Sequence, residues 1–157
     1  MAGEAVGSHT IGLAMTKRIR VLILCTGNSA RSQMAEGLLR QLGDEKFEVA
    51  SAGIDPSFVR PEAIEVMREM GIDIAAHRSK SIDEFRGRPF DYVITVCDNA
   101  NQQCPMFPGA TRRIHWSIRD PAAVDGDNKT RLDAFRLARD ELRKRLGDFV
   151  AQEGIAW

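Results

Sequence analysis

The chain has 157 residues, which is the size of one domain with a single sizeable core. Its hydrophobic fraction of 43% and charged fraction of 28% are typical of a soluble globular protein. The 22 basic and 22 acidic side chains give a formal net charge of zero, which argues against a general nucleic-acid or membrane-surface binder but is compatible with a local positive pocket for one small anion. No apolar run approaches the roughly 20 residues that a membrane-spanning helix needs.

Residues 1–16 are small, polar and glycine-rich, and they lack the basic start and long apolar stretch of a signal peptide. We interpret them as a flexible extension, with Met15 as an alternative start, in front of one catalytic domain at residues 17–157. The expected compartment is therefore the cytoplasm, where thiols stay reduced. Three cysteines in such a compartment are more often free, metal-binding or catalytic than part of a disulfide framework.

After residue 16, short apolar runs alternate with segments of helical spacing. In chain order, the pattern predicts a strand at 20–24, a helix ending at Gly43, a strand at 47–54, a helix at 61–70, strands at 90–96 and 112–116, and a helix at 129–150. Strands that alternate with helices favour an α/β fold with a parallel sheet covered on both faces. Ligands of such sheets bind at the carboxyl ends of the strands, and Cys25 directly follows the first one.

Residues 25–32, with the sequence CTGNSARS, connect the first predicted strand to the first predicted helix. A tight loop containing Gly27 can turn backbone N–H groups inward to form a nest for a tetrahedral oxyanion, and the following helix adds its positive N-terminal end. Arg31 can close this nest with a bidentate fork. A cysteine at its base faces donors and positive potential, which favour the thiolate.

Within this loop, Ser32 can donate a hydrogen bond to the Cys25 thiolate. The predicted oxyanion-binding residues are Thr26, Gly27, Asn28, Ser29, Ala30 and Arg31. The alternative interpretation is a buried cysteine at a strand end beside an unrelated arginine. The preceding strand, Gly27 and the following helix favour the catalytic interpretation.

Residues 21–36, VLILCTGNSARSQMAE, resemble the low-molecular-weight tyrosine phosphatase superfamily and, within it, the thioredoxin-coupled arsenate reductases. The resemblance covers about residues 18–150. It implies a flavodoxin-like fold, which is a single-domain three-layer sandwich around a four-stranded parallel sheet. It also implies that Cys25 is the nucleophile, Arg31 the oxyanion binder and Ser32 the stabiliser of the thiolate.

Asp120 precedes Pro121 in a segment, HWSIRDPA, that is similar to the acid-bearing loop of this superfamily. A carboxylic acid beside the oxyanion can protonate the departing oxygen. The alternative is a turn aspartate before proline, which is common. His115 is interpreted as a packed residue without a chemical role. No cluster of histidines and cysteines has metal-ligand spacing, so we expect no metal.

Cys97 and Cys104 lie in the segment VCDNANQQCP, which resembles the resolving-cysteine segment of the reductases. The resemblance implies a disulfide relay from Cys25 to Cys97 to Cys104, with thioredoxin as the external reductant and no bound cofactor. If residues 98–104 are helical, the two cysteines lie about 10 Å apart along the helix axis. A disulfide needs Cα atoms within about 7 Å, so the segment must unwind to close the bridge.

Three functions remain open from the sequence. The first is an arsenate reductase, which we expect to act as a monomer without nucleic acid or membrane partners. The second is a low-molecular-weight phosphotyrosine phosphatase, although Ala122 follows Pro121 where phosphatases of this fold typically carry tyrosine. The third is a non-catalytic oxyanion-binding or redox-sensing module. The alternative interpretation of Cys97 and Cys104 is one buried thiol and one turn thiol without a role in a relay.

Some reductases of this type bind potassium beside the nucleophile loop, through residues that match Asn28, Glu36 and Ser51 and a carboxylate after the second helix. Here Lys80 stands where the carboxylate is expected. We expect its ammonium group to take the place of the cation near Glu36, a point-charge role that suits lysine. The alternative is a solvated surface lysine.

Overall fold

The computed structural model describes residues 17–109 and 111–156, and within them strands and helices alternate along the chain. The strands are β1 (Ile19–Cys25), β2 (Phe47–Gly53), β3 (Tyr92–Thr95) and β4 (Arg112–His115). The helices are α1 (Arg31–Gly43), α2 (Pro61–Arg68), α3 (Asp98–Gln103) and α4 (Asn128–Ala156). Short 3₁₀ turns occur at Asp44–Lys46, Ile82–Phe85 and Pro121–Ala123.

The four strands form one parallel sheet, as expected from the sequence, and their order in the sheet is β2–β1–β3–β4. Parallel pairing brings the carboxyl ends of the strands to one edge. Cys25 is in register with Gly53, Leu24 with Thr95, and Thr95 in turn with His115. The loops that follow the strands therefore meet at this edge, which holds Cys25.

The central strands are continuous apolar runs because helices cover both faces of the sheet. All residues from Val21 to Leu24 are fully buried, whereas β4, at one side of the sheet, is largely exposed. Helix α4 places Phe149 against the rings of Phe47 and Tyr92, at centroid distances of 5.8 and 4.9 Å. Since Phe47 and Tyr92 begin their strands, this aromatic cluster closes the edge of the sheet opposite Cys25.

Gly43 ends α1 because of a close contact with Phe47, and not because it adopts a left-handed conformation. A glycine after a helix is expected to take a left-handed conformation, but Gly43 has φ −91°, and Asp44, with φ 51°, is the left-handed residue. A Cβ atom at Gly43 would overlap the ring of Phe47. Glycine is therefore needed here so that β2 can begin close to the end of α1.

None of the described helices combines the length and apolar character needed to cross a membrane. The predicted extension at residues 1–16, including Met15, lies outside the described residues.

Candidate active site

The loop between β1 and α1 is held from outside by the segment that follows β2. Four backbone carbonyls of the loop each accept a hydrogen bond from an N–H group of that segment. The pairs are Cys25 with Ile54 (3.2 Å), Thr26 with Asp55 (2.8 Å), Gly27 with Ser57 (3.1 Å) and Ser29 with Arg60 (2.8 Å). The N–H groups of residues 27–31 have no backbone acceptor among the described residues. With its carbonyls turned outward, the loop has the arrangement expected of an oxyanion nest.

Gly53 permits this close approach of β2 to the loop. A Cβ atom at Gly53 would lie 2.6 Å from the Thr26 carbonyl oxygen and 2.8 Å from the Asn28 backbone nitrogen. The positive φ that the turn requires falls on Asn28, at 46°, rather than on Gly27. Asparagine tolerates this left-handed conformation better than most residues.

The fully buried Asn28 side chain organises the inside of the loop. Its Nδ2 group donates to Ser32 Oγ (2.8 Å) and to Ser51 Oγ (3.0 Å), and its Oδ1 atom accepts from the Lys80 backbone N–H (3.0 Å). Ser32 Oγ lies 3.1 Å from Cys25 Sγ. Because Ser32 already accepts from Asn28, its own proton is free for the sulfur. The resulting chain of donors therefore ends on the Cys25 sulfur.

Arg31 and Asp120 lie beside the nucleophile. Arg31 Nη1 donates to the Ile118 carbonyl at 2.9 Å, and its Nη2 lies 3.7 Å from Asp120 Oδ2. Asp120 also caps the following 3₁₀ turn by accepting from the Ala122 N–H at 3.0 Å. One cavity of about 220 Å³ is lined by Cys25, Thr26, Gly27, Ser29, Ala30, Arg31, Ser57, Arg60, Asp120 and Ala122. The structure thus brings the predicted nucleophile, arginine and acid together, and it adds Ser57 and Arg60.

Cys97 contacts the nucleophile loop from the end of β3. Its Sγ atom lies 3.2 Å from Thr26 Oγ1, which in turn accepts from Asn99 Nδ2 at 3.0 Å. The Thr26 proton is therefore available to the Cys97 sulfur, just as the Ser32 proton is available to Cys25. Cys97 also caps α3 by accepting from the Ala100 N–H at 3.4 Å.

Cys104 lies at the other end of α3 from Cys97, and all three cysteines are free thiols. The expected helix between Cys97 and Cys104 is present as Asp98–Gln103. Burial raises the pKa of the Cys104 thiol, and the positive charge of Arg113 acts in the opposite direction. Cys104 is therefore mainly protonated at neutral pH in this conformation.

His115, which the sequence suggested was only a packed residue, connects two parts of the site. Its Nδ1 atom lies 2.7 Å from Thr95 Oγ1, and its Nε2 atom lies 2.8 Å from Asp98 Oδ1. The hydrogen bond from His115, followed by one from Ser117, lowers the pKa of Asp98. The imidazole thus joins the end of β3 to the first turn of α3.

A group of charged side chains surrounds the buried Glu36 behind the loop. Glu36, 4% exposed, accepts from Ser51 Oγ (2.5 Å) and lies near Arg40 Nη2 (2.7 Å) and Lys80 Nζ (3.7 Å). Burial lowers the pKa values of Lys80 and His77, and in both cases Glu36 opposes this effect. The Lys80 side chain is only 13% exposed, which matches the expected place beside Glu36 and contradicts a solvated surface lysine. No group of three or more metal-ligating side chains occurs within residues 17–109 and 111–156.

Comparison with known proteins agrees with this geometry. Residues 20–154 match the family model of the low molecular weight phosphotyrosine protein phosphatases. The arsenate reductase of Halalkalibacterium halodurans is 43% identical over 137 residues, covering 87% of this chain and 97% of that protein.

Solved structures of arsenate reductases have the same fold as this chain. An arsenate reductase in the phosphate binding state superposes with a TM-score of 0.71 at 33% identity, covering 85% of this chain and 98% of that one. The thioredoxin-dependent arsenate reductase of Corynebacterium glutamicum superposes with a TM-score of 0.70 at 27% identity, covering 93% of this chain and 67% of that one. The chain therefore belongs to the low molecular weight phosphotyrosine protein phosphatase family and, within it, to the arsenate reductases.

Proposed function

We propose that the chain reduces arsenate to arsenite through a thiol relay in which Cys25, Cys97 and Cys104 act in turn. The observation that carries this proposal is the contact between Cys97 and Thr26. It holds a second thiol against the nucleophile loop, one helix away from a third. Hydrolysis of a phosphate ester would use Cys25, Arg31 and Asp120 alone.

In the first step, the Cys25 thiolate attacks arsenate held by the loop N–H groups and Arg31. A sulfur–arsenic bond forms, and Asp120 protonates the departing hydroxide to give water. Cys97 then attacks the Cys25 sulfur. A disulfide forms between the two cysteines, and the electron pair of the sulfur–arsenic bond goes to arsenic, which leaves as arsenite.

In the second stage, Cys104 attacks the Cys97 sulfur and releases Cys25 as a thiolate. The resulting Cys97–Cys104 disulfide requires a two-electron reductant, for which we propose thioredoxin. The thioredoxin-dependent relative from Corynebacterium glutamicum supports this partner. Every reacting group comes from one chain, so the relay needs no second copy, and its resting thiols suit the reducing cytoplasm.

The test is arsenate-dependent consumption of NADPH in the presence of thioredoxin and thioredoxin reductase. The native chain is compared with Cys97→Ser and Cys104→Ser. We expect multiple turnovers only in the native chain, because each variant lacks one transfer step. Any slow hydrolysis of an aryl phosphate should persist in Cys104→Ser, since that thiol lies outside the oxyanion cavity.

Rapid phosphotyrosine hydrolysis by the native chain, without arsenate-dependent NADPH consumption, would instead identify a phosphatase. Cys97 and Cys104 would then be structural or regulatory thiols. As a check on folding, alkylation of Cys25 should proceed at similar rates in the native chain and in Cys104→Ser.

A further inference from the structure

Arg60 lies at the rim of the oxyanion cavity but belongs to neither the nucleophile loop nor the acid loop. It is half-buried, and it lines the same cavity as Cys25 and Arg31. Its backbone is fixed in two ways. The Arg60 N–H donates to the Ser29 carbonyl at 2.8 Å, and the residue forms the N-cap of α2 in an extended conformation directly before Pro61. The nucleophile loop itself therefore determines where this guanidinium begins.

The two guanidinium groups of the cavity differ in their existing contacts. Arg31 already donates to the Ile118 carbonyl and lies near Asp120. The Nε atom of Arg60 is buried and has no hydrogen-bond partner among the described residues. A buried donor without an acceptor is unfavourable, so a rotation of this side chain that brings its guanidinium against an anion in the cavity would break no hydrogen bond of Nε.

The Arg60 side chain also contacts an aromatic ring. Its guanidinium carbon lies 5.2 Å from the centroid of the Phe58 ring, which is 54% exposed. A cation–π contact of this kind supplies no oxygen or nitrogen acceptor, so the N–H groups of the guanidinium keep their capacity to donate to an anion. Phe58 thus restricts the orientation of Arg60 without satisfying its donors.

We propose that Arg60 is a second oxyanion-binding arginine, which holds the oxygens on the open side of the cup and favours dianions over monoanions. Two guanidinium groups around one tetrahedral anion balance two negative charges, whereas Arg31 alone balances one and is also shared with Asp120. The proposal rests on the proposed function only in taking a tetrahedral oxyanion as the ligand.

The test measures how well inorganic phosphate and sulfate protect Cys25 from iodoacetamide, with alkylation of Cys25 followed by mass spectrometry. Native protein is compared with Arg60→Gln, Arg60→Lys and Arg68→Gln. Arg68 is an exposed arginine at the end of the same helix, so its variant is the matched control. We expect Arg60→Gln to weaken protection roughly tenfold, Arg60→Lys to weaken it less, and the control to leave it unchanged.

The charge of the anion provides a second readout that a purely structural role would not affect. Phosphate is measured above and below its second ionisation, while sulfate remains a dianion throughout. The loss in Arg60→Gln should be larger for the phosphate dianion than for the monoanion, and it should not change with pH for sulfate. In turnover assays, the KM for arsenate should rise with little change in kcat.

Protection in Arg60→Gln within twofold of the control, at equal Tm, would overturn the proposal. The proposal would also be overturned if Arg60→Gln lost protection equally for the phosphate monoanion and the phosphate dianion. Because protection by phosphate and sulfate does not depend on arsenate reduction, failure of the proposed function would leave this test unaffected.

Discussion

The hydroxyl group of Ser32 is the last donor before the nucleophilic sulfur, and its contribution can be isolated. Ser32→Ala removes the hydrogen bond to Cys25 Sγ and leaves the Asn28 Nδ2 group with one acceptor fewer. We expect alkylation of Cys25 by iodoacetamide at neutral pH to slow roughly tenfold, because a hydrogen bond to a charged group stabilises the thiolate substantially. An unchanged alkylation rate would show that the loop N–H groups alone stabilise the thiolate.

Lys80 offers a test of how the charge of Glu36 is balanced. Because the ammonium group lies 3.7 Å from Glu36 Oε1, we expect replacement of sodium by potassium to leave the activity of the native chain unchanged. Lys80→Asp would remove this cation and add a carboxylate, so the variant should be less active in sodium and should recover in potassium. Lys80→Met, which adds no carboxylate, is the control and should not recover. A marked potassium stimulation of the native chain would contradict this role of Lys80.

The residues that were predictable from the sequence are those that lie in segments with a recognisable pattern. Cys25 and Arg31 follow from a fixed spacing between a strand and a helix, and Asp120 follows from the resemblance of a second loop to a known one. Arg60 and His115 could not be predicted in the same way. Their positions at the site depend on contacts between segments that are distant in sequence, and no spacing rule connects them to Cys25.

Helix α3 must be stable enough to separate Cys97 from Cys104 and weak enough to unwind. Asp98 stabilises its first turn through the contact with His115 and through its charge at the helix N-terminus. We therefore expect Asp98→Ala to speed amide hydrogen exchange in residues 98–103, roughly threefold. It should also speed formation of the Cys97–Cys104 disulfide by a mild oxidant. The measurements are hydrogen exchange by mass spectrometry and the kinetics of thiol loss.

A second aspartate provides the control for this prediction. Asp140 lies on the exposed side of α4, where it pairs with Arg139, and Asp140→Ala should leave exchange in α3 unchanged. If Asp98→Ala slows disulfide formation, the contact with His115 would instead be needed to hold Cys97 in place for its reaction.

The raised pKa of Cys104 makes the rate of disulfide formation depend on pH. In the helical form, the fraction of Cys104 that is thiolate increases as pH rises.

Among the helices and strands, types and order were predictable, and their ends were less so. The third strand is predicted at residues 90–96 but extends only over Tyr92–Thr95. The apolar residues on either side of it belong to loops, and an apolar run alone does not distinguish a loop from a strand. Helix α4 continues to Ala156, beyond the predicted end at residue 150, since no glycine or proline stops it at that point. The extra length of α4 lies toward the edge of the sheet opposite Cys25, because Phe149 packs there against Phe47 and Tyr92.

For the whole molecule, two kinds of titrating group determine how stability changes with pH below neutrality. Carboxylates act at about pH 4, and a histidine acts closer to neutral pH. Several carboxylates at or near the surface have lowered pKa values because neighbouring side chains donate hydrogen bonds to them. They are Glu69, Asp83, Glu84, Asp98, Asp127 and Asp133. A carboxylate with a lowered pKa contributes stability that is lost only as pH falls toward and below its ordinary value of about 4. Between neutral pH and that limit, another group must determine how stability changes.

Among the described residues, His77 is such a group, because burial lowers its pKa below the ordinary value. Its Nδ1 atom lies 3.0 Å from Gln33 Oε1, which fixes the neutral ring as a donor at this nitrogen. As pH falls below about 6.5, the unfolded chain binds a proton at this histidine before the folded chain does. The unfolded state is then favoured, so the free energy of unfolding should decrease by at most about 1 kcal/mol toward pH 5.5.

Urea unfolding at a series of pH values, compared between the native chain and His77→Gln, tests this sign. Glutamine does not titrate and retains a donor for Gln33, so its free energy of unfolding should change less over the same range. The free energy of unfolding of the native chain should therefore decrease relative to that of His77→Gln as pH falls. A native chain that becomes more stable on acidification would mean that attraction of the imidazolium to Glu36, 4.0 Å from Nε2, exceeds the cost of burying its charge.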